Sequence, residues 1–130
     1  MYLLDTNTII YFFKGMGDVS KKLFLQTPNK IFIPSIVVYE LEVGIAKSSH
    51  PQKRTKQLKE LLEQISVLNF TTQEAISSAK IRASLEKIGT PIGPIDTLIA
   101  GYAVANNLTL VTRNLNEFQR VKKLKLENWF

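Results

Sequence analysis

Three carboxylates stand where their neighbours make ionisation costly. Asp5 ends the apolar run "YLLD", Glu40 lies in "SIVVYELEVGIAK", apolar on nearly every side, and Asp96 falls in "PIGPIDTLIAGYAVANN", which reads as the first turns of a buried helix. Burying one ionised carboxylate unpaired carries an idealised cost of about 20 kcal/mol and an effective cost of several. Each acid therefore needs a proton, a basic partner, a helix-end dipole or a cation. The apolar segments offer no lysine or arginine close in sequence, and "IFIP" and "LTLVT" contain none. A divalent cation answers the need: hard oxygen ligands suit Mg²⁺ or Mn²⁺, and an ion shared by two or three carboxylates offsets their mutual repulsion. Each acid taken singly also has a plainer role. Asp5 can cap the turn that follows it, and Asp96 can be a first-turn acid stabilised by the helix dipole. Glu40 and Glu42 exchange roles freely, because the helix is too uniformly apolar for its periodicity to choose between them. Taken together, the plainer roles require three separate coincidences.

The elements that must bring these acids together follow from the pattern. "YLLD" is a short buried strand whose carboxyl end delivers Asp5. "IFIP" is a second strand, closed by Pro34, after which Ser35 is placed to cap the helix "SIVVYELEVGIAK". From Gln52 to Ile65 the positions Leu58, Leu61, Leu62 and Ile65 take helical spacing, with lysines on the other face. "SVLNF" supplies a third strand, and Thr71 with Glu74 has the spacing of a capping box opening a helix that ends at Gly89. Ile95, Leu98, Ile99 and Tyr102 mark another helical face, which Asn107 stops. "LTLVT" is a fourth strand, followed by "RNLNEF" and a short last segment, "LKLENWF". The alternation predicts an α/β fold with a mostly parallel central sheet, with ligands gathering at the carboxyl ends of its strands.

Composition narrows the chemistry. A chain of 130 residues is sized for one domain spanning 1–130, and its hydrophobic fraction of 45% and charged fraction of 22% are those of a globular protein. With no cysteine and with His50 as the sole histidine, disulfides, thiolate nucleophiles and imidazole-rich metal sites are excluded. No run approaches the length of a membrane span, and "MYLLDTN" lacks a basic region before an apolar stretch, so a soluble cytoplasmic protein is expected. The net charge of +6 favours a polyanionic partner. Its distribution sharpens that preference, since basic residues crowd "KSSHPQKRTKQLKE" and "RNLNEFQRVKKLK". Such runs also occur as ordinary solvated helix faces.

"LLDTNTII", "PSIVVYELEVGIAKS", "PIGPIDTLIAGYAVANNLTLVTRNLNEF" and "LKLENW", in this order and spacing, resemble PIN-domain ribonucleases, and among them the VapC toxins of prokaryotic toxin–antitoxin pairs. The resemblance spans nearly the whole chain. It implies a three-layer α/β/α fold, with Asp5, Glu40 and Asp96 as acidic metal ligands and Asn7 and Thr112 lining the site, and so favours Glu40 over Glu42. The chain departs from the wider pattern at Asn114, where many PIN domains carry a fourth aspartate. Asparagine offers a carbonyl oxygen without charge, so a second ion would be held more weakly. Glu117, one helical turn on, is the acid placed to compensate, or else a surface residue beside Phe118.

The chemistry expected is Mg²⁺- or Mn²⁺-assisted hydrolysis of an RNA phosphodiester, with the basic flanks holding the backbone. A single histidine cannot supply the acid–base pair of a two-histidine ribonuclease. Tyr11, Phe12, Phe13 and Tyr39 are available to stack on bases, although aromatic residues at these spacings are more often core. The resemblance further implies a homodimer, a small cognate antitoxin that wraps the enzyme into a hetero-oligomer, and a structured RNA substrate such as transfer or ribosomal RNA. Two rivals remain. A haloacid-dehalogenase-type phosphatase needs an aspartate two residues beyond Asp5, where Asn7 stands. A catalytically idle RNA-binding module of the same fold draws its support from Asn114.

Overall fold

The computed structural model describes residues 1–130. Five short strands form one sheet: β1 (Tyr2–Leu4), β2 (Ile31–Pro34), β3 (Ser66–Leu68), β4 (Thr109–Val111) and β5 (Lys125–Glu127). Their order is β3-β2-β1-β4-β5 and every pairing is parallel. The expected "mostly parallel" sheet is thus wholly parallel, and "LKLENWF", unassigned from sequence, supplies its fifth strand. The helices are α1 (Thr6–Lys14), α2 (Val19–Phe24), α3 (Ser35–Ala46), α4 (Pro51–Gln64), α5 (Thr72–Lys87), α6 (Pro94–Ala105) and α7 (Leu115–Phe118). From β1 through β2 to β3 the chain moves across the sheet one way, and from β3 through β4 to β5 it moves the other. Right-handed crossovers in opposite directions put helices on both faces, giving three α/β/α layers.

The sheet is central because its strands are apolar on both sides. Leu3, Leu4, Ile31, Ile33, Leu110 and Val111 are all essentially inaccessible. Direction reverses between β1 and β4, so the crevice expected to take ligands lies where these strands end, at Asp5 and Thr112.

α6 is buried more broadly than its predicted stripe. Thr97, Ile99, Ala100, Gly101, Tyr102 and Ala103 are buried, whereas Ile95 and Leu98 are only partly so. The reason is α5, which packs so closely that a Cβ on Gly101 would lie 1.8 Å from Ser78 Oγ and 3.0 Å from Ser78 Cα. The Thr71/Glu74 capping box forms as expected. Glu74, 3% exposed, accepts from Thr71 N at 2.9 Å and from the Thr71 hydroxyl, and its second oxygen accepts from Asn106 Nδ2 at 3.2 Å. These bonds, the Thr71 hydroxyl first, hold its carboxyl below the ordinary range. Because one carboxylate ties the start of α5 to the end of α6, Glu74→Ala is expected to cost about 2 kcal/mol, against about 1 kcal/mol for an ordinary cap, in urea titrations.

Ser35 does not cap α3. The cap position is Pro34, and the Ser35 hydroxyl instead lies 2.7 Å from Tyr102 Oη, joining α3 to α6. The break before α3 comes from Pro34, which closes the strand without a side-chain cap. No helix is long and apolar enough to cross a membrane.

Candidate active site

Asp5 leaves β1 directly into the N-cap of α1, where its Oδ1 accepts from Thr8 N at 2.9 Å. The plain capping role and a place in the acidic cluster therefore belong to the same side chain. Asp5 is 7% exposed. Burial raises its carboxyl above the ordinary range, hydrogen bonds from Thr112 and Thr8 pull the other way, and Glu40 adds a further upward push. Thr112, fully buried at the end of β4, also accepts from Asn114 N at 3.0 Å.

Glu40 faces this cluster from α3, while Glu42 is exposed. Glu40 is only half-buried, less than the apolar character of its helix suggests, because Tyr39 and Val43 beside it are 59% and 38% exposed. Its Oε1 accepts from the Thr6 hydroxyl at 2.5 Å. Thr6 was not singled out in the sequence. A hydroxyl immediately after the strand-ending acid was the available signal, but its partner lies on another helix.

Asp96 occupies the first turn of α6, half-buried. Its carboxyl is pushed up to about 6, by burial first and then by the charges of Glu117, Asp5 and Glu40. Glu117, on α7, has the opposite environment. Its Oε1 accepts from Gly93 N at 2.8 Å and its Oε2 from Asn114 Nδ2 at 2.8 Å. Those two bonds, Gly93 first, hold it below the ordinary range. A Cβ on Gly93 would sit 3.7 Å from both Asp96 Oδ2 and Glu117 Oε1, so both acids flank one point of the backbone. Asn114 thus shares with Gly93 N the orienting of Glu117. Asn7 lies in the first turn of α1 with its side chain exposed, at the edge of the group.

Neither ion pair in the molecule, Lys56–Glu60 or Arg82–Glu86, involves these acids. Arg113, between Thr112 and Asn114, stacks instead on Phe130, with its guanidinium carbon 3.6 Å from the ring centroid. In this side-chain arrangement no three acids close around a single point as a finished ion cage. Asp5, Glu40 and Glu117 each lie close enough to Asp96 for their charges to raise its carboxyl, none of the four is in an ion pair, and an all-oxygen donor set of this kind has the chemistry a hard divalent ion requires.

A parallel three-layer sheet with acids gathered at its switch point defines the class, and the family profile described as PIN domain matches residues 2–124. The chain belongs to the PIN-domain family. Within it, the chain is 37% identical over 128 residues to the "tRNA(fMet)-specific endonuclease VapC" of Salmonella typhimurium, covering 98% of this chain and 97% of that protein. It is likewise 37% identical over 131 residues to "Ribonuclease VapC2" of Rickettsia felis, covering 99% and 98%. Among solved structures, DNA-bound VapBC from Salmonella typhimurium superposes with a TM-score of 0.93 at 37% identity, over 99% of this chain and 98% of that one.

Proposed function

We propose that this chain is a metal-dependent endoribonuclease, the toxin component of a VapBC-type toxin–antitoxin pair. The observation that carries the reading is the gathering of Asp5, Glu40, Asp96 and Glu117 around one crevice with no lysine or arginine paired to any of them. Support comes from relatives named as VapC ribonucleases along nearly the full length of the chain.

Asp5, Glu40 and Asp96 would hold Mg²⁺ or Mn²⁺, with Glu117 completing the charge. Such an ion supplies Lewis acidity toward water and a phosphodiester oxygen. The chain's own groups set the stage for it. Thr8 and Thr112 fix the Asp5 carboxylate, Thr6 fixes Glu40, and Gly93 N with Asn114 Nδ2 keeps Glu117 ionised. Asp96 retains a proton up to about pH 6 and must release it before the cluster carries its full charge. Proton and ion therefore compete for Asp96. Cleavage at sub-saturating Mg²⁺ is expected to rise as pH increases through about 6, and saturating Mg²⁺ should move that limb to lower pH. Initial rates across pH 5–8 at two Mg²⁺ concentrations check this.

An idle RNA-binding module drew its support from the missing acid at position 114. The bond from Asn114 to Glu117 weakens that support, because the amide orients a nearby carboxylate that would take the absent one's place. The substrate class proposed is structured RNA, with initiator transfer RNA as the first candidate, since one relative is named for it. A cognate antitoxin is the expected protein partner, as in the VapBC complexes of similar fold. An apolar groove of about 550 Å³ lined by Phe12, Phe13, Leu61 and Ile65 is available to such a partner, with Phe24, 77% exposed, at its side. A homodimer and a cytoplasmic location belong to the same proposal. The test incubates purified protein with total cellular RNA and Mg²⁺, Mn²⁺ or chelator, then maps new 5′ ends. Discrete metal-dependent ends are expected, and an RNA pool identical with and without metal would remove the assignment.

A further inference from the structure

A second concavity lies on α5, outside the acidic crevice. It encloses about 340 Å³ between α5 and the turn that follows α7. Ile81, Leu85, Val104 and Val121 form an apolar floor, and Lys80, Arg120, Lys122 and Lys123 stand around it, with no aspartate or glutamate in the lining. None of these cations is in an ion pair, whereas Arg82 on the same helix is neutralised by Glu86 at 2.7 Å. Four like charges around one hollow repel one another, an arrangement that a polyanion relieves.

The groove is joined to the crevice by a specific contact. Arg120 Nη1 donates to Pro91 O at 3.0 Å, on the loop whose Gly93 N bonds Glu117. A strand of phosphates leaving the acids would meet Arg120 first and the three lysines next. The four carboxylates repel RNA, so attraction must come from beside them.

We infer that the groove between α5 and the Arg120–Lys123 turn is a binding track for the RNA backbone flanking the scissile bond, its lysines taking phosphates and its apolar floor taking ribose or an unstacked base. This rests on the ribonuclease reading for the identity of the polyanion. The track makes affinity for long RNA separable from chemistry at the crevice. Phosphates held by lysine give binding that falls steeply with salt, with a slope near −0.7 to −0.9 per contact.

The experiment measures equilibrium binding of a full-length transfer RNA to the Asp96→Asn protein, so that cleavage plays no part. Lys80→Glu, Lys122→Glu and Lys123→Glu are introduced together in that background. A second triple variant, Lys53→Glu, Lys56→Glu and Lys59→Glu on α4, has the same net charge, and thermal melts confirm that both fold. The groove variant is expected to lose at least about 10-fold in affinity at 0.1 M salt and to flatten the salt slope by about 2, with the α4 variant losing less than about 3-fold. Equal losses from both sets would mean a general charge effect and overturn the proposal. A groove variant within twofold of its parent overturns it too, as does one that keeps RNA affinity but loses binding to an acidic peptide. Should the wild-type chain cleave no RNA while the groove variant still shows its selective loss, the nuclease reading fails, the link to a scissile bond falls with it, and the groove stands as an RNA-backbone site.

Discussion

Asp96→Asn will remove at least about 10³-fold of the RNA-cleaving rate and, in the same molecule, make the metal-free protein more stable at pH 7.5. Both effects come from one carboxylate in a costly place. In the unfolded chain Asp96 titrates at its ordinary value of 3.8, and in the fold it is pushed up to about 6 by burial and by Glu117, Asp5 and Glu40. A carboxyl with a raised folded pKa contributes its full stability below pH 4 and loses it as pH climbs through about 6. The Asp5 carboxyl is also raised and acts in the same direction. Glu117 and Glu74 are lowered from 4.5, so their contributions change only at more acid pH. Asparagine cannot ionise, so the variant escapes the penalty. Allowing for solvent screening of a half-exposed group, the gain is on the order of 1 kcal/mol at pH 7.5, shrinking toward pH 5. Urea midpoints at both pH values, with and without Mg²⁺, check this. Mg²⁺ should stabilise the wild-type protein at pH 7.5 and do little for the variant. A variant that melts lower than wild type, or cleaves as fast, would falsify this account of the crevice.

Gly101→Ala will be the most damaging single methyl group that can be added to α6, costing about 2–4 kcal/mol. The new Cβ would fall 1.8 Å from Ser78 Oγ, 2.9 Å from its Cβ and 3.0 Å from its Cα. Rotating the Ser78 hydroxyl relieves the first contact but not the other two, so the helices must part. The Ser78 hydroxyl is buried and without a hydrogen-bond partner, so Ser78→Ala on its own should be neutral or slightly stabilising. Combining the two changes relieves the oxygen clash alone, and the double variant should recover only part of the loss. Gly101→Ala with an unchanged urea midpoint would show that α5 and α6 do not pack as described.

The sequence carried the central strands well because burial on both faces leaves uninterrupted apolar runs, as in "YLLD", "IFIP" and "LTLVT". It carried β5 poorly. At a sheet edge Lys125 and Glu127 are exposed and only Leu126 is half-buried, so charges that guard an open edge also hide the strand. α2 escaped notice for a related reason, being six residues long and set off by Gly15 and Gly17 in left-handed turns. Asp5, Glu40 and Asp96 were recognisable because an acid in an apolar run is conspicuous. Thr6, Gly93 and the orienting role of Asn114 were not, since each acts through a partner at least three positions away whose approach only the folded chain defines. The choice between Glu40 and Glu42 came from the family resemblance and not from the helix itself, because periodicity along α3 is nearly silent, and the fold agrees by leaving Glu42 exposed.

That Asp5 both caps α1 and belongs to the acidic group bears on how such a gene can decay. A copy drifting toward harmlessness through position 5 disturbs the first turn of a helix as it disarms the protein, unless the replacement is itself a capping residue such as asparagine, and replacements that cannot cap yield a less stable chain. Drift through position 96 leaves a sturdier molecule. Disarmed descendants that persist as intact proteins should therefore have lost the later acid far more often than the first.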